Sequence, residues 1–205
     1  MSDSLEEVPD HTSLRRIVRI VALLNLAYFA VEFTVALNIG SVSLFADSVD
    51  FLEDASVNML IGIAFAWSLK ARARTGMILA GILLVPALAT LWAAWTKFQL
   101  PIAPAPLPLS ITALGALAVN LSCALMLARY RSHRGSLTRA AFLSARNDTF
   151  ANVAIILAAL VTFFYRSMWP DLIVGLGIMA MNAGAAREVW QAARKEHRTA
   201  ISAQA

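Results

Sequence analysis

FADSVDFLEDASVN, residues 45–58, sets the carboxylates Asp47, Asp50, Glu53 and Asp54 inside a segment otherwise apolar enough to enter a membrane. On a helix at about 100° per residue, Asp47, Asp54 and Asn58 fall on one narrow stripe, with Asp50 about 40° from Asp54 at its edge and Glu53 about 100° away. A charged side chain at a bilayer centre costs roughly 2.5 to 3.5 kcal/mol on insertion scales, so several together persist only facing a cavity, a partner or an ion. The stripe is therefore a candidate site. A second stretch echoes it, because Ser144, Asp148 and Asn152 repeat the four-residue steps of Asp50, Asp54 and Asn58 and so share one helical face. Two such faces can enclose a cation.

The chain around these stretches has 205 residues, 59% hydrophobic and only 15% charged, with a mean hydropathy of +0.67. Those values lie outside the range of soluble globular domains and predict an all-α, polytopic membrane protein. A span across about 30 Å of hydrocarbon needs about 20 mostly apolar residues. Residues 17–37, 41–69, 76–95, 107–128, 140–164 and 169–189 qualify, which predicts a bundle of six transmembrane helices. The proline-rich LPIAPAPLP at 100–108 reads as a stiff connector rather than a helix, and Pro170 suits a first helical turn. The expected organisation is a disordered tail over 1–14, a six-helix domain over 15–190 and a short cytoplasmic tail over 191–205. The acidic, polar start MSDSLEEVPDHTS lacks the basic beginning of a secretory signal.

Lys and Arg set the expected orientation. Arg15, Arg16 and Arg19 precede the first span, Lys70, Arg72 and Arg74 follow the second, Arg129, Arg131, Arg134 and Arg139 follow the fourth, and Arg187, Arg194, Lys195 and Arg198 follow the sixth. Only Lys97 and Arg166 fall on the other side, and Arg146 lies within the fifth span. The positive-inside rule places both termini in the cytoplasm of a multi-pass protein, the cell (inner) membrane being the expected location. The net charge of +4 is thus accounted for by topology, without nucleic acid. Trp67, Trp92, Trp95, Trp169 and Trp190 all fall near span ends, as an interfacial belt requires.

Counting about 1.5 Å per residue from the expected boundary puts Asp54 about 10 Å, Asp50 about 16 Å and Asp148 about 12 Å above the cytoplasmic side. The carboxylates of two antiparallel helices thus reach nearly one level. Asp50, Asp54 and Asp148 offer hard oxygens to a divalent cation, with Ser144, Asn152 or water completing the site. Ligands of this kind bind metal only when deprotonated, so metal and protons compete for them, which is the basis of proton-coupled antiport. The plainer reading is that these acids pair with Arg146 or join helices by hydrogen bonds. Arg146 points about 160° away from Asp148, which argues against pairing within one helix. Asn25, Glu32, Asn120 and Asn182 either line the same path or bond between helices, and Asp47 serves the outer mouth, a cap or a supporting role. His11, His133 and His197 fall in tails and loops, and Cys123 and the methionines read as packing. One cysteine excludes an internal disulfide framework and a CxxC site.

GSVSLFADSVDFLED entering the second span, Asn120 in the fourth and RNDTFAN in the fifth resemble the cation diffusion facilitator family of divalent metal efflux transporters, and the resemblance runs across all six spans. It implies a metal site made by a DxxxD or HxxxD pair on the second helix and a matching pair on the fifth, with Asp50, Asp54 and Asp148 at three of the positions. It also implies a six-helix fold, usually a homodimer, that exchanges metal for protons by alternating access, with no resident cofactor and no enzymatic reaction. The fourth position is Ser144, which leaves manganese, iron, cobalt and cadmium open beside zinc. The ending is short where many relatives carry a cytoplasmic metal-binding domain, so dimerisation is expected through the membrane helices. Two other readings stand beside export of a divalent transition metal: a non-transporting metal-binding or regulatory membrane subunit, and a metal-dependent membrane enzyme. The latter lacks the glycine- and arginine-containing phosphate pattern such enzymes carry.

Overall fold

The computed structural model describes the backbone of residues 11–64, 88–128, 135–182 and 187, and the side-chain surroundings of 15–59, 88–128, 144–182 and 187. The first part of the third span (76–87), the loops at 70–74 and 129–134, the last residues of the second and sixth spans and the outermost tails lie outside the described residues. Among the described residues there are six helices: α1 (His11–Ile39), α2 (Val42–Ala64), α3 (88–99), α4 (Pro106–Ala128), α5 (Gly135–Tyr165) and α6 (169–182). No strand occurs among the described residues.

Several boundaries differ from expectation, two of them at the starts of α1 and α4. Helix α1 starts at His11, inside the stretch expected to be a disordered tail. Helix α4 starts at Pro106, so Pro106, Leu107 and Pro108 of the supposed connector form its first turn. Proline is tolerated there because the first N–H groups of a helix have no intrahelical acceptor.

Helices α1, α2, α4 and α5 form the central bundle: α1 packs along α2, α4 along α5, and contacts of α1 with α4 and of α2 with α5 close the ring. Two apolar cores lie at its two ends. Val18, Val21, Cys123, Ala124, Leu127 and Ala145 form one. Ala36, Leu44, Ala46, Leu109, Ala113, Ala151, Ile155, Ala159 and Ile178 form the other, where small alanines let the helices approach closely. Between them lies a layer of buried polar groups that includes Asn25, Glu32, Asp47, Asp50, Asp54, Asn120, Asp148 and Asn152. Helices α3 and α6 join at one end through Ala94 and Leu172, which pack on Val42.

The α1–α2 turn, the α3–α4 link and the α5–α6 link gather at that same end. Lys97 of α3 donates to the carbonyl of Gly40 in the first turn, and Phe98 meets Trp169 edge-on at 5.6 Å. We call this the turn end and the opposite one the terminal end. Gly40 closes α1 at φ +62°, a left-handed conformation that costs an L side chain about 1 to 2 kcal/mol. The Ser41 N–H then reaches back to the Ala36 carbonyl at 3.0 Å, the six-to-one bond of a Schellman ending.

Arg15–Ile39, Pro106–Ala128 and Ser144–Tyr165 are each long and apolar enough to cross a membrane. Helix α2 has a similar length, and its four acids set it apart. Leu23, Leu37, Trp92, Leu125, Phe150 and Phe164 are all exposed on the flanks of the bundle, the surface of a protein solvated by lipid. This is an all-α integral membrane protein.

Candidate functional site

The site begins with the spacing of residues on α2. Positions 50, 53 and 54 stand at i, i+3 and i+4, the triplet that shares one helix face. On α5, positions 144, 147 and 148 repeat it. The structure turns these two faces toward each other and adds the described end of α6. Asp50, Glu53, Asp54, Ser144, Asn147, Asp148, Met181 and Asn182 line one cavity of about 80 Å³, room for an ion with a few waters.

Asp50, Asp54 and Asp148 are buried. Ser144 is half-buried and donates its hydroxyl to Asp54 Oδ1 at 2.9 Å. Arg146 is exposed, and its guanidinium reaches Asn147 rather than an acid of the cavity. Among the described residues no three carboxyl, imidazole or thiol groups already surround a single point closely enough to hold a metal ion. The carboxylates share a chamber without being drawn together in it.

Asn152 stands apart from this chamber. Its Oδ1 accepts from Asn120 Nδ2 at 3.0 Å, and its Nδ2 donates to Asp47 Oδ2. Asp47 in turn faces Glu32 of α1. One residue from each helix of the central bundle, Glu32, Asp47, Asn120 and Asn152, thus makes a polar tier about one turn nearer the turn end than the cavity. Neither oxygen of Glu32 and only one of Asp47 meets a donor, and the amide of Asn25 and Oδ1 of Asn58 also lack partners. Wholly buried carboxylates left this way are costly unless a positive partner reaches them.

The helical stripe drawn from Asp47 through Asp54 to Asn58 therefore divides. Asp50 and Asp54 face the cavity, Asp47 faces the tier, and Asn58 donates to the backbone carbonyl of Asp54 at 2.8 Å. Glu53, Asn147 and Met181 escaped the sequence reading as cavity residues. The matched i, i+3, i+4 triplets on α2 and α5 would have found the first two. Asn182, expected either on the path or between helices, lies on the cavity wall.

Asp171, which the sequence did not single out, is the most thoroughly bonded buried acid among the described residues. Its carboxylate receives Ser41 Oγ at 2.6 Å, Ser43 Oγ at 2.6 Å, the Val42 N–H at 2.9 Å and the Ser43 N–H at 3.2 Å. Lys97 stands 3.8 Å away.

The family model described as the cation efflux transmembrane domain matches residues 18–196. Comparison with curated proteins returned no match.

Proposed function

Because the chain belongs to the cation efflux transmembrane domain family, we propose that it is a secondary transporter that exports a divalent transition-metal cation from the cytoplasm in exchange for protons. The family is one of transporters and not of enzymes. The observation that carries the finer reading is the meeting of Asp50 and Asp54 from α2 with Asp148 from α5 on one small cavity. Hard oxygen donors suit Mn²⁺ and similar ions, and also Zn²⁺ at four-coordinate sites.

In this reading Asp50, Asp54 and Asp148, which line one cavity, are the ligands, and an arriving ion gathers their carboxylates around it. Alternating access then requires that the ion bind differently in the two states of the helices that carry these ligands. Ser144 holds Asp54 through its hydroxyl and keeps its lone pairs for the ion. Asn152 supports the tier instead of the cavity, since both ends of its amide are engaged. Protons return to the carboxylates when the ion leaves, because only the deprotonated groups bind metal. The terminal end faces the cytoplasm, as the Lys and Arg distribution requires, the membrane is the cell membrane, and a second copy pairs through the membrane helices.

The test is metal-dependent proton movement in vesicles containing the purified protein. Proton flux driven by at least one of Zn²⁺, Mn²⁺, Fe²⁺, Co²⁺ or Cd²⁺, and absent from Asp54→Asn, is the expected result. Flux with none of them counts against transport. Flux retained by Asp54→Asn places the ion elsewhere.

A further inference from the structure

Asp171 sits in the first turn of α6, yet its bonds go to another helix. A helix leaves its first N–H groups without intrahelical partners. At the start of α2 these are met in sequence: Asp171 takes the N–H of Val42 and of Ser43, and Ser41 Oγ takes the N–H of Leu44 at 3.1 Å as an ordinary N-cap. The carboxylate also lies at the positive end of the α2 dipole. Lys97 of α3 completes the group, held between Asp171 and the Gly40 carbonyl. Three helices and one turn thus converge on a carboxylate that is wholly buried.

The packing around it is equally close. A Cβ at Gly175, one turn further along α6, would stand 2.7 Å from the Val42 carbonyl carbon and 2.8 Å from the Ser43 nitrogen. The backbone of α6 at Gly175 therefore lies directly against the first turn of α2. Further along the same two helices, Asp50, Glu53 and Asp54 on α2 and Met181 and Asn182 on α6 line the cavity. The two helices are therefore fastened at the turn end and flank a chamber deeper in.

We propose that Asp171, together with Lys97, is a positioning latch that keeps the ion path shut at the turn end, and that the path opens there only when Asp171 releases the first turn of α2. The inference rests on the transport reading for its purpose but not for its test. Charge-assisted hydrogen bonds are among the strongest in proteins, and replacing the carboxylate by an amide loses both the charge and an acceptor. The closed state of the turn end then loses its advantage over the open one.

The reporter is Ile178→Cys, placed on α6 between the latch and the cavity and buried in the parent, in a chain whose own Cys123 is replaced by alanine. A membrane-impermeant maleimide is applied without metal, separately to each face of oriented vesicles. With Asp171 intact, labelling is slow from both faces. Asp171→Asn is expected to raise labelling from the turn-end face about tenfold or more, on the scale of a lost charged hydrogen bond, while leaving the other face unchanged. Equal rises from both faces mean general loosening and overturn the latch, as does no rise in a folded Asp171→Asn protein. If Asp171→Asn does not fold, Ser43→Ala, which removes a single hydroxyl donor, is expected to give a smaller rise of about threefold on the same face. No rise there overturns the proposal as well. A parent protein without metal flux ends the transport reading while the labelling result still decides the latch.

Discussion

Ser144 bonds to Asp54 at the edge of the cavity, so its replacement separates two roles that a sequence cannot distinguish. Ser144→Ala removes the hydrogen bond to Asp54 and leaves all three carboxylates in place. Metal affinity, read by equilibrium titration, is expected to fall roughly 10- to 100-fold, as for other groups that support a ligand. Asp148→Asn removes a proposed ligand from the cavity wall and is expected to abolish measurable binding. Ser144→His adds a nitrogen donor and is expected to shift preference toward Zn²⁺, measured as the ratio of Zn²⁺ to Mn²⁺ affinity. An unchanged ratio means that position 144 does not reach the ion. At this scale the sequence revealed the acids but not their division. Asp47 and Asp54 share a stripe on an ideal helix, yet Asp47 is claimed by Asn152 and faces Glu32, whereas Asp54 opens to the cavity. Which of two neighbouring faces a polar residue serves depends on what the other helices present to it.

The helices themselves were mostly legible, because about 20 apolar residues in a row leave few alternatives in lipid. Helix α4 was expected over 107–128 and spans Pro106–Ala128. What sequence could not supply was the fastening between helices. Asp171 lies far along the chain from Ser41, and nothing local to either residue announces the bond. Gly175 is likewise silent in sequence, since its importance is the backbone of α2 pressed against it. Gly175→Ala forces a methyl group into that contact and is expected to lower stability by about 1 to 3 kcal/mol, read as an earlier thermal transition in detergent. Unchanged stability means that α6 shifts away from α2 at no cost. Gly40→Ala, which strains a left-handed residue without filling a contact as close, is expected to cost about 1 to 2 kcal/mol by the same measurement.

For the whole molecule, hydropathy gave the class and the Lys and Arg asymmetry gave a direction. The gathering of the α1–α2 turn, the α3–α4 link and the α5–α6 link at one end fits an up-and-down alternation of helices, and the direction stays an expectation from the Lys and Arg distribution. An impermeant reagent directed at tags on the two termini is expected to reach both from the cytoplasmic face only, and reactivity of the two tags from opposite faces contradicts the alternation of helices. Two apolar cores pack the ends of the bundle, and the polar layer between them holds buried oxygens of Glu32, Asp47 and Asn58 that meet no hydrogen-bond donor. The claim on which all of this depends is that α2 and α5 share one divalent ion. Its most direct test is the stoichiometry of metal bound by the purified protein, compared with Asp54→Asn and Asp148→Asn. One ion per chain, lost on removing either carboxylate, is the predicted result; an ion retained at full affinity when Asp148 is replaced contradicts it.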